Sequence, residues 1–309
     1  GVGGVGGVLR IVLVSVDPQS GELTEVTAMA RDWTRLEVET LVADYLAMLG
    51  SELRGERYSK TDHRRALSPL LSQRTDSSIE RKHQNVSAIL IELGYPSIAG
   101  YKPLSNYQSL LFDVVADRVP VDASLAASVR ASVEAPAPLA NVADLLSRME
   151  SPPEAAERLR YSQARERGTA ARPGINWLEQ EARNQSLGLA GEEFVVQFER
   201  TRLQRSGRER LAARVEHVAV TVGDSEGFDI RSFEVNGSDR LIEVKTTAYG
   251  KQIPFFLSRH ELVVSRRQAH AYSLYRLFRF RDDPRLYRLA GALDETCILD
   301  PVQFSARVR

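Results

Sequence analysis

The 309-residue sequence holds a single cysteine, Cys297. One thiol builds neither a disulfide framework nor a cysteine-based zinc site within the chain, a usage that fits a reducing cytoplasm. No apolar run approaches the ~18 residues of a membrane helix, so no membrane partner is expected. Lysine is scarce: Lys60, Lys82, Lys102, Lys245 and Lys251 stand among 41 lysines and arginines. Formal net charge is zero, which excludes a chain that is polybasic throughout but leaves room for a local basic groove. The glycine run Gly1 to Gly7 is not followed by Gly-Lys-Ser/Thr, so it is no Walker loop. It also lacks a basic n-region and a cleavage pattern, and a flexible leader is expected rather than a signal peptide. There is no internal repeat.

The length suggests about two domains. Leu9 to Val16 and Leu23 to Met29 alternate like strands around a turn at Asp17 to Gly21. From Trp33 the apolar period turns helical: Val38, Leu41, Val42, Tyr45, Leu46, Leu49 and Leu53 share one stripe, closed by Gly55. Further helices are predicted over Asp62 to Gln73, Ser77 to Leu93 and Asn106 to Val119. This gives a mainly helical domain over residues 1–119. Residues 120–175 are rich in Ala and Pro and read as a linker with a short helix at Asn141 to Glu150. A second domain over 176–309 opens with a helix from Leu187 to about Arg205, followed by strands at Val215 to Val222, Tyr272 to Phe280 and Leu286 to Leu289. Ser258 with Glu261 reads as a capping box.

On the third predicted helix, Arg81, Lys82, Gln84 and Asn85 are expected on the outward side, with Lys102 just beyond. These residue types read base edges and hold phosphates, so the face is a candidate nucleic-acid contact. The plain alternative is a solvated polar face. His63 and His83 are expected to be surface or packing residues. The segment SIERKHQNVSAILIELGYPSIAGYKPLSNYQ resembles one found ahead of nuclease domains in bacterial restriction proteins.

The most informative stretch is Gly227 to Thr247, GFDIRSFEVNGSDRLIEVKTT. Asn236-Gly237 is a hairpin signal, because both residues tolerate positive φ. Side chains alternate along a strand, so Glu243 and Lys245 share one face while Ile242 and Val244 take the other. Phe228 and Ile230 pair with the apolar face, which puts Asp229 beside Glu243 and Lys245. Two carboxylates and an ammonium on rigid strands suit a hard divalent cation and the phosphoryl chemistry it supports. The alternative is a surface cross-strand ion pair, worth about 0.2–1 kcal/mol.

Asp229, Glu243 and Lys245 resemble the motif of the PD-(D/E)xK nuclease superfamily, with Phe228 where the name implies proline. That resemblance implies a Gly-Glu pair opening a helix upstream, where a glutamate often completes the metal shell. Glu192 matches this place, with Glu193 in reserve. The pieces GLAGEEFV, GFDI, LIEVKTT, FFLSRHEL and YSLYRLFRF, from Asn176 onward, resemble the domain family named after the C-terminal region of the plant protein NO VEIN. The resemblance implies an α/β fold of restriction-endonuclease type, a mixed sheet flanked by helices.

Two readings follow. In one, the chain is a magnesium-dependent DNA endonuclease of restriction or defence type. Asp229, Glu243 and Glu192 hold Mg2+ (Mn2+ as substitute), Lys245 positions water and phosphate, and Arg259 and Arg276 grip the DNA backbone. Cutting both strands favours a homodimer. In the other, it is a non-cleaving nucleic-acid-binding or adaptor protein that has kept the fold. Intact Asp229, Glu243 and Lys245 favour the first.

Overall fold

In a computed structural model of the chain, the described residues are 12–16, 23–27, 32–137, 144–153 and 175–302. Strands β1 (Val12–Val16) and β2 (Leu23–Thr27) pair antiparallel, Val14 opposite Glu25. The turn expected between them, with Leu9 and Met29, lies outside the described residues.

Five helices follow: α1 (Arg35–Leu53), α2 (Lys60–Leu67), α3 (Asp76–Glu92), α4 (Ser109–Arg118) and α5 (Ala123–Glu134). Four of them start where an oxygen side chain can take a free helix N–H: Thr34, Ser59, Thr75 and Asp122. Gly55 and Gly94, at φ 70° and 80°, close α1 and α3 in the left-handed conformation. The stripe of α1 is buried from Val38 to Leu49 and partly buried at Leu53, and it packs with Ile79, Val86, Leu90, Leu111, Val115, Leu125 and Val129.

Helix α5 falls within residues 120–175, the stretch expected to be a linker, yet it is part of the helical core. Leu125, Val129 and Val133, at helical spacing, bury themselves in the same core as α1, and so does Trp177 from beyond the expected boundary. Instead of a helix across Asn141 to Glu150, the described part holds a single 3-10 turn at Leu146–Arg148. Met149 then bridges to Leu286.

Helices α6 (Trp177–Ala182), α7 (Gln185–Arg205) and α8 (Glu209–Ala212) lead into a mixed five-stranded sheet, in the order β3 (Glu216–His217), β4 (Ile230–Phe233), β5 (Asp239–Thr246), β6 (Tyr272–Phe278), β7 (Arg285–Ala290). All neighbours are antiparallel except β5 and β6, which are parallel and joined through α10 (Arg259–Arg267); the single turn α9 (Val218–Thr221) lies between β3 and β4. A last turn, α11, spans Leu293–Thr296. The strand expected over Val215 to Val222 is thus only two residues long. β4 offers it partners at Arg231 and Ile230 alone, after which the chain coils, burying Val218 and exposing Val220 and Val222. β6 stops at Phe278 because Arg279 takes φ 51°.

The central strand β5 is covered on both faces. Ile242 and Val244 pack with Phe194, Val195 and Phe198 of α7. Leu241, on the other side, packs with Phe228, Tyr272, Leu274 and Leu293, against Leu262 and Val264 of α10. A strand buried on both faces carries a near-continuous apolar run, and Leu241-Ile242 and Val244 supply it. Among the described residues, no helix is long and apolar enough to cross a membrane.

Candidate active site

The hairpin turn differs in detail from its signal. Five residues separate Phe233 from its partner Asp239, and only Gly237 takes positive φ, 94°. Asn236 acts through its side chain instead: Oδ1 accepts the Ser238 N–H at 3.0 Å. The odd loop keeps Ile230 opposite Ile242, and the chain leaves the ladder just before it. Asp229 N–H donates to Ile242 O at 2.9 Å, and Asp229 Oδ2 accepts Val244 N–H at 2.7 Å. The carboxylate is thereby locked beside the strand that carries Glu243 and Lys245.

These three residues do come together, but on no open polar surface. Glu243 is only 3% exposed, under α10. Lys245 Nζ lies 2.7 Å from Glu243 Oε1 and 3.0 Å from Glu261 Oε2. A surface ion pair is therefore ruled out. Glu261 also closes the capping box expected from the sequence: Ser258 Oγ accepts its N–H, and its Oε2 accepts the N–H of Ser258, both at 3.2 Å.

Glu192 enters from α7. Gly191 sits against Thr246 of β5, where a Cβ would fall well inside contact distance of Thr246 Oγ1, so only glycine lets the helix come this close. The next side chain, Glu192, then reaches His217 Nε2 at 2.6 Å, while Glu193 is exposed. His217 was not singled out in the sequence. It lies on β3 opposite Ile230, the neighbour of Asp229.

The charges act on one another. Burial pushes the Asp229 carboxyl up to about 7; the Glu192 carboxylate adds to the rise, and the Val244 N–H and Lys245 oppose it. Burial also raises Glu243 well above the carboxylate range, against the pull of Lys245 and with the push of Asp229 and Glu261. Burial alone would lower Lys245, but Glu243 and Glu261 outweigh it and hold the ammonium charged. Acids outnumber the base here, and the surplus is carried as raised carboxyl pKa values. Among the described residues, no three His, Cys, Asp or Glu side chains are already arranged to hold a metal ion.

Other expected contacts are reassigned. Arg276 is buried on β6 at 3% exposure, with its guanidinium over Phe255 and bonded to Ile253 O at 3.3 Å, so no phosphate reaches it. Arg259 is exposed at the first turn of α10. Asn85 faces inward, not outward: its Nδ2 donates to the carbonyls of Leu104 and Asn106. Lys82 is half-buried, bonded to Gln108 Oε1 at 2.8 Å and set over Trp33, and burial draws its pKa down to about 8. Gln84 is half-buried, while Arg81 and Lys102 are exposed. His83 is a packing residue between Tyr45 and Tyr101. His63 Nδ1 bonds Asp44 Oδ1 at 2.6 Å. A half-open apolar cavity of about 300 Å³ lies between the helical part and the sheet, floored by Ile91, Ile253, Phe255 and Leu289, and none of the site carboxylates lines it.

Residues 191–289 match the family model described as Protein NO VEIN, C-terminal. The match begins at Gly191, before Glu192, and ends within β7, so it contains the whole cluster. No curated protein and no solved structure matches the chain.

Proposed function

We propose that the chain is a magnesium-dependent DNA endonuclease working at Asp229, Glu243 and Lys245, on a restriction-endonuclease-like sheet. The observation that carries the reading is the surplus of acids over base: Lys245 pairs with Glu243 and Glu261, and Asp229 lies close enough to Glu192, Glu261 and Lys245 to feel their charges. A hard divalent cation is the partner that relieves such a surplus. Asp229 and Glu243 would hold Mg2+ or Mn2+, since the Val244 N–H and Lys245 engage only one oxygen of each, Asp229 Oδ2 and Glu243 Oε1. Glu192, paired here with His217, would serve as a third donor. Magnesium supplies charge neutralisation and Lewis acidity at the phosphoryl group.

The chain's own residues do the rest. Lys245 orients the attacking water and holds the scissile phosphate as a point charge. Burial of the cluster lowers the local dielectric and strengthens each of these contacts. Arg259, exposed at the first turn of α10, meets a neighbouring backbone phosphate. Cutting both strands of a duplex takes two such sites, hence a homodimer.

The test is cleavage of supercoiled plasmid by the full chain in Mg2+, in Mn2+ and in chelator, beside Lys245→Ala. Nicked or linear product that needs the cation and is lost in Lys245→Ala is expected. Wild-type protein that binds DNA and cleaves no substrate, modified or plain, would replace this reading with that of a binding or adaptor module.

A further inference from the structure

Helix α10 touches both halves of the acidic site. Glu261 Oε2 serves two partners at once: the Ser258 N–H at 3.2 Å, which starts the helix, and Lys245 Nζ at 3.0 Å, on the central strand. The same helix is the abutment of the segment leading to Asp229. A Cβ on Gly227 would come within 2.7 Å of Val264 Cγ2 and 3.0 Å of His260 Cδ2, and His260 Nε2 meets Ser225 O at 2.8 Å.

From this geometry we infer that Glu261 is a positioning residue for Lys245. Lysine ends in a compact charge on a flexible four-carbon stem, and one ion-pair partner leaves that stem free to swing. Glu243 alone is a poor anchor, because in the reading above it also holds the cation, on which this inference rests. Glu261 supplies a second anchor that is itself fixed by the capping box. It thereby keeps the ammonium at the edge of Glu243 when Glu243 turns its charge to the cation. Arg259 and His260 occupy the same helical turn, so contact with a nucleic-acid backbone there acts on the residue that holds Lys245.

Glu261→Gln separates the two duties, since a glutamine at this position still accepts the cap N–H but carries no charge. The experiment is competitive acetylation of the full chain with acetic anhydride, read lysine by lysine by mass spectrometry. Lys60, Lys82, Lys102 and Lys251 report whether the fold is kept. Lys245 should react about threefold faster in Glu261→Gln, as expected on losing one partner of a partly exposed pair. It should react at the wild-type rate in Ser258→Ala, which loses the Oγ that accepts the Glu261 N–H but keeps the backbone N–H at 258 that holds Glu261 Oε2. In single-turnover cleavage, Glu261→Gln should lower the rate about tenfold with little change in KM. Wild-type labelling of Lys245 in Glu261→Gln overturns the inference whether or not the protein cleaves DNA. Faster labelling in a protein that never cleaves overturns the nuclease reading and keeps the contact. If Glu261→Gln is too unstable to label, a thermal-melting cycle with Lys245→Met replaces it, and additive effects overturn the inference.

Discussion

Asp229 ties the site to pH. In the unfolded chain an aspartate titrates at about 3.9, whereas here burial and Glu192 carry it to about 7. Between those values the folded protein holds a proton that the unfolded chain has lost. Stability is therefore present at low pH and falls as pH rises through this window, then levels off. Without divalent cation, melting temperature should drop between about pH 4 and about pH 7. Asp229→Asn, whose amide oxygen can still accept the Val244 N–H, should flatten that drop and melt higher at the upper end. Added Mg2+ should restore the wild type and leave Asp229→Asn unmoved. A wild-type profile that is flat over the window would show that this carboxyl is not raised. Lys245→Ala is also more than a surface change. It leaves the nearly enclosed Glu243 without its ammonium, so it should cost roughly 1–3 kcal/mol at neutral pH, less than the full cost of breaking a fully buried pair. Glu243→Gln in the same background should recover part of the loss in a melting experiment.

At the scale of elements, the approach of α7 to β5 rests on one missing side chain. Gly191→Ala would drive a methyl into Thr246, whose buried Oγ1 has no hydrogen-bond partner. Overpacking of this kind costs about 1–3 kcal/mol, and the helix should shift and carry Glu192 away from His217. Thr246→Ala makes room, so the double variant should melt above Gly191→Ala alone; equal melting would mean that the contact does not limit the packing. What the sequence disclosed follows the same division between local and distant. The Ser258–Glu261 cap, the hairpin and the Asp229, Glu243, Lys245 grouping depend on neighbours within a turn or on strand alternation, and they were legible. The second role of Glu261 was not, because Lys245 lies on a different element and only the packing of α10 on β5 joins them. Asn85 and Arg276 have the composition of nucleic-acid contacts, yet each is enclosed by segments whose position no helical wheel reveals: the Leu104–Asn106 loop and the Ile253–Phe255 loop. Helix α5 was masked by its alanines and serines, although Leu125, Val129 and Val133 kept the spacing that buries it.

Over the whole molecule, the stretch from α5 to α6 is bonded to both the helical core and the sheet. Trp177 lies in the helical core, while the next residue, Leu178, packs with Ile91, Tyr249 and Ile253. Glu181 accepts the Thr247 hydroxyl at 2.7 Å and the Ala248 N–H at 2.8 Å, just past the end of β5. Arg281 donates to the carbonyls of Pro136 and Ala135 at 2.7 and 2.6 Å, and Asn184 to that of Val133 at 2.9 Å. Buried charged and polar groups of this kind are costly to expose without their partners, so separating the halves should be as unfavourable as opening either one. The two tryptophans of the chain, Trp33 and Trp177, both report the helical core, and Cys297 lies on the sheet side. Tryptophan fluorescence and the rate of Cys297 labelling should therefore follow one thermal transition with a common midpoint. Shortening the Arg281 contact by Arg281→Ala should lower both midpoints together. A fluorescence transition that is complete while Cys297 still reacts at its native rate would show instead that the helical core opens by itself, and that the sheet with its acidic site stands as an independent unit.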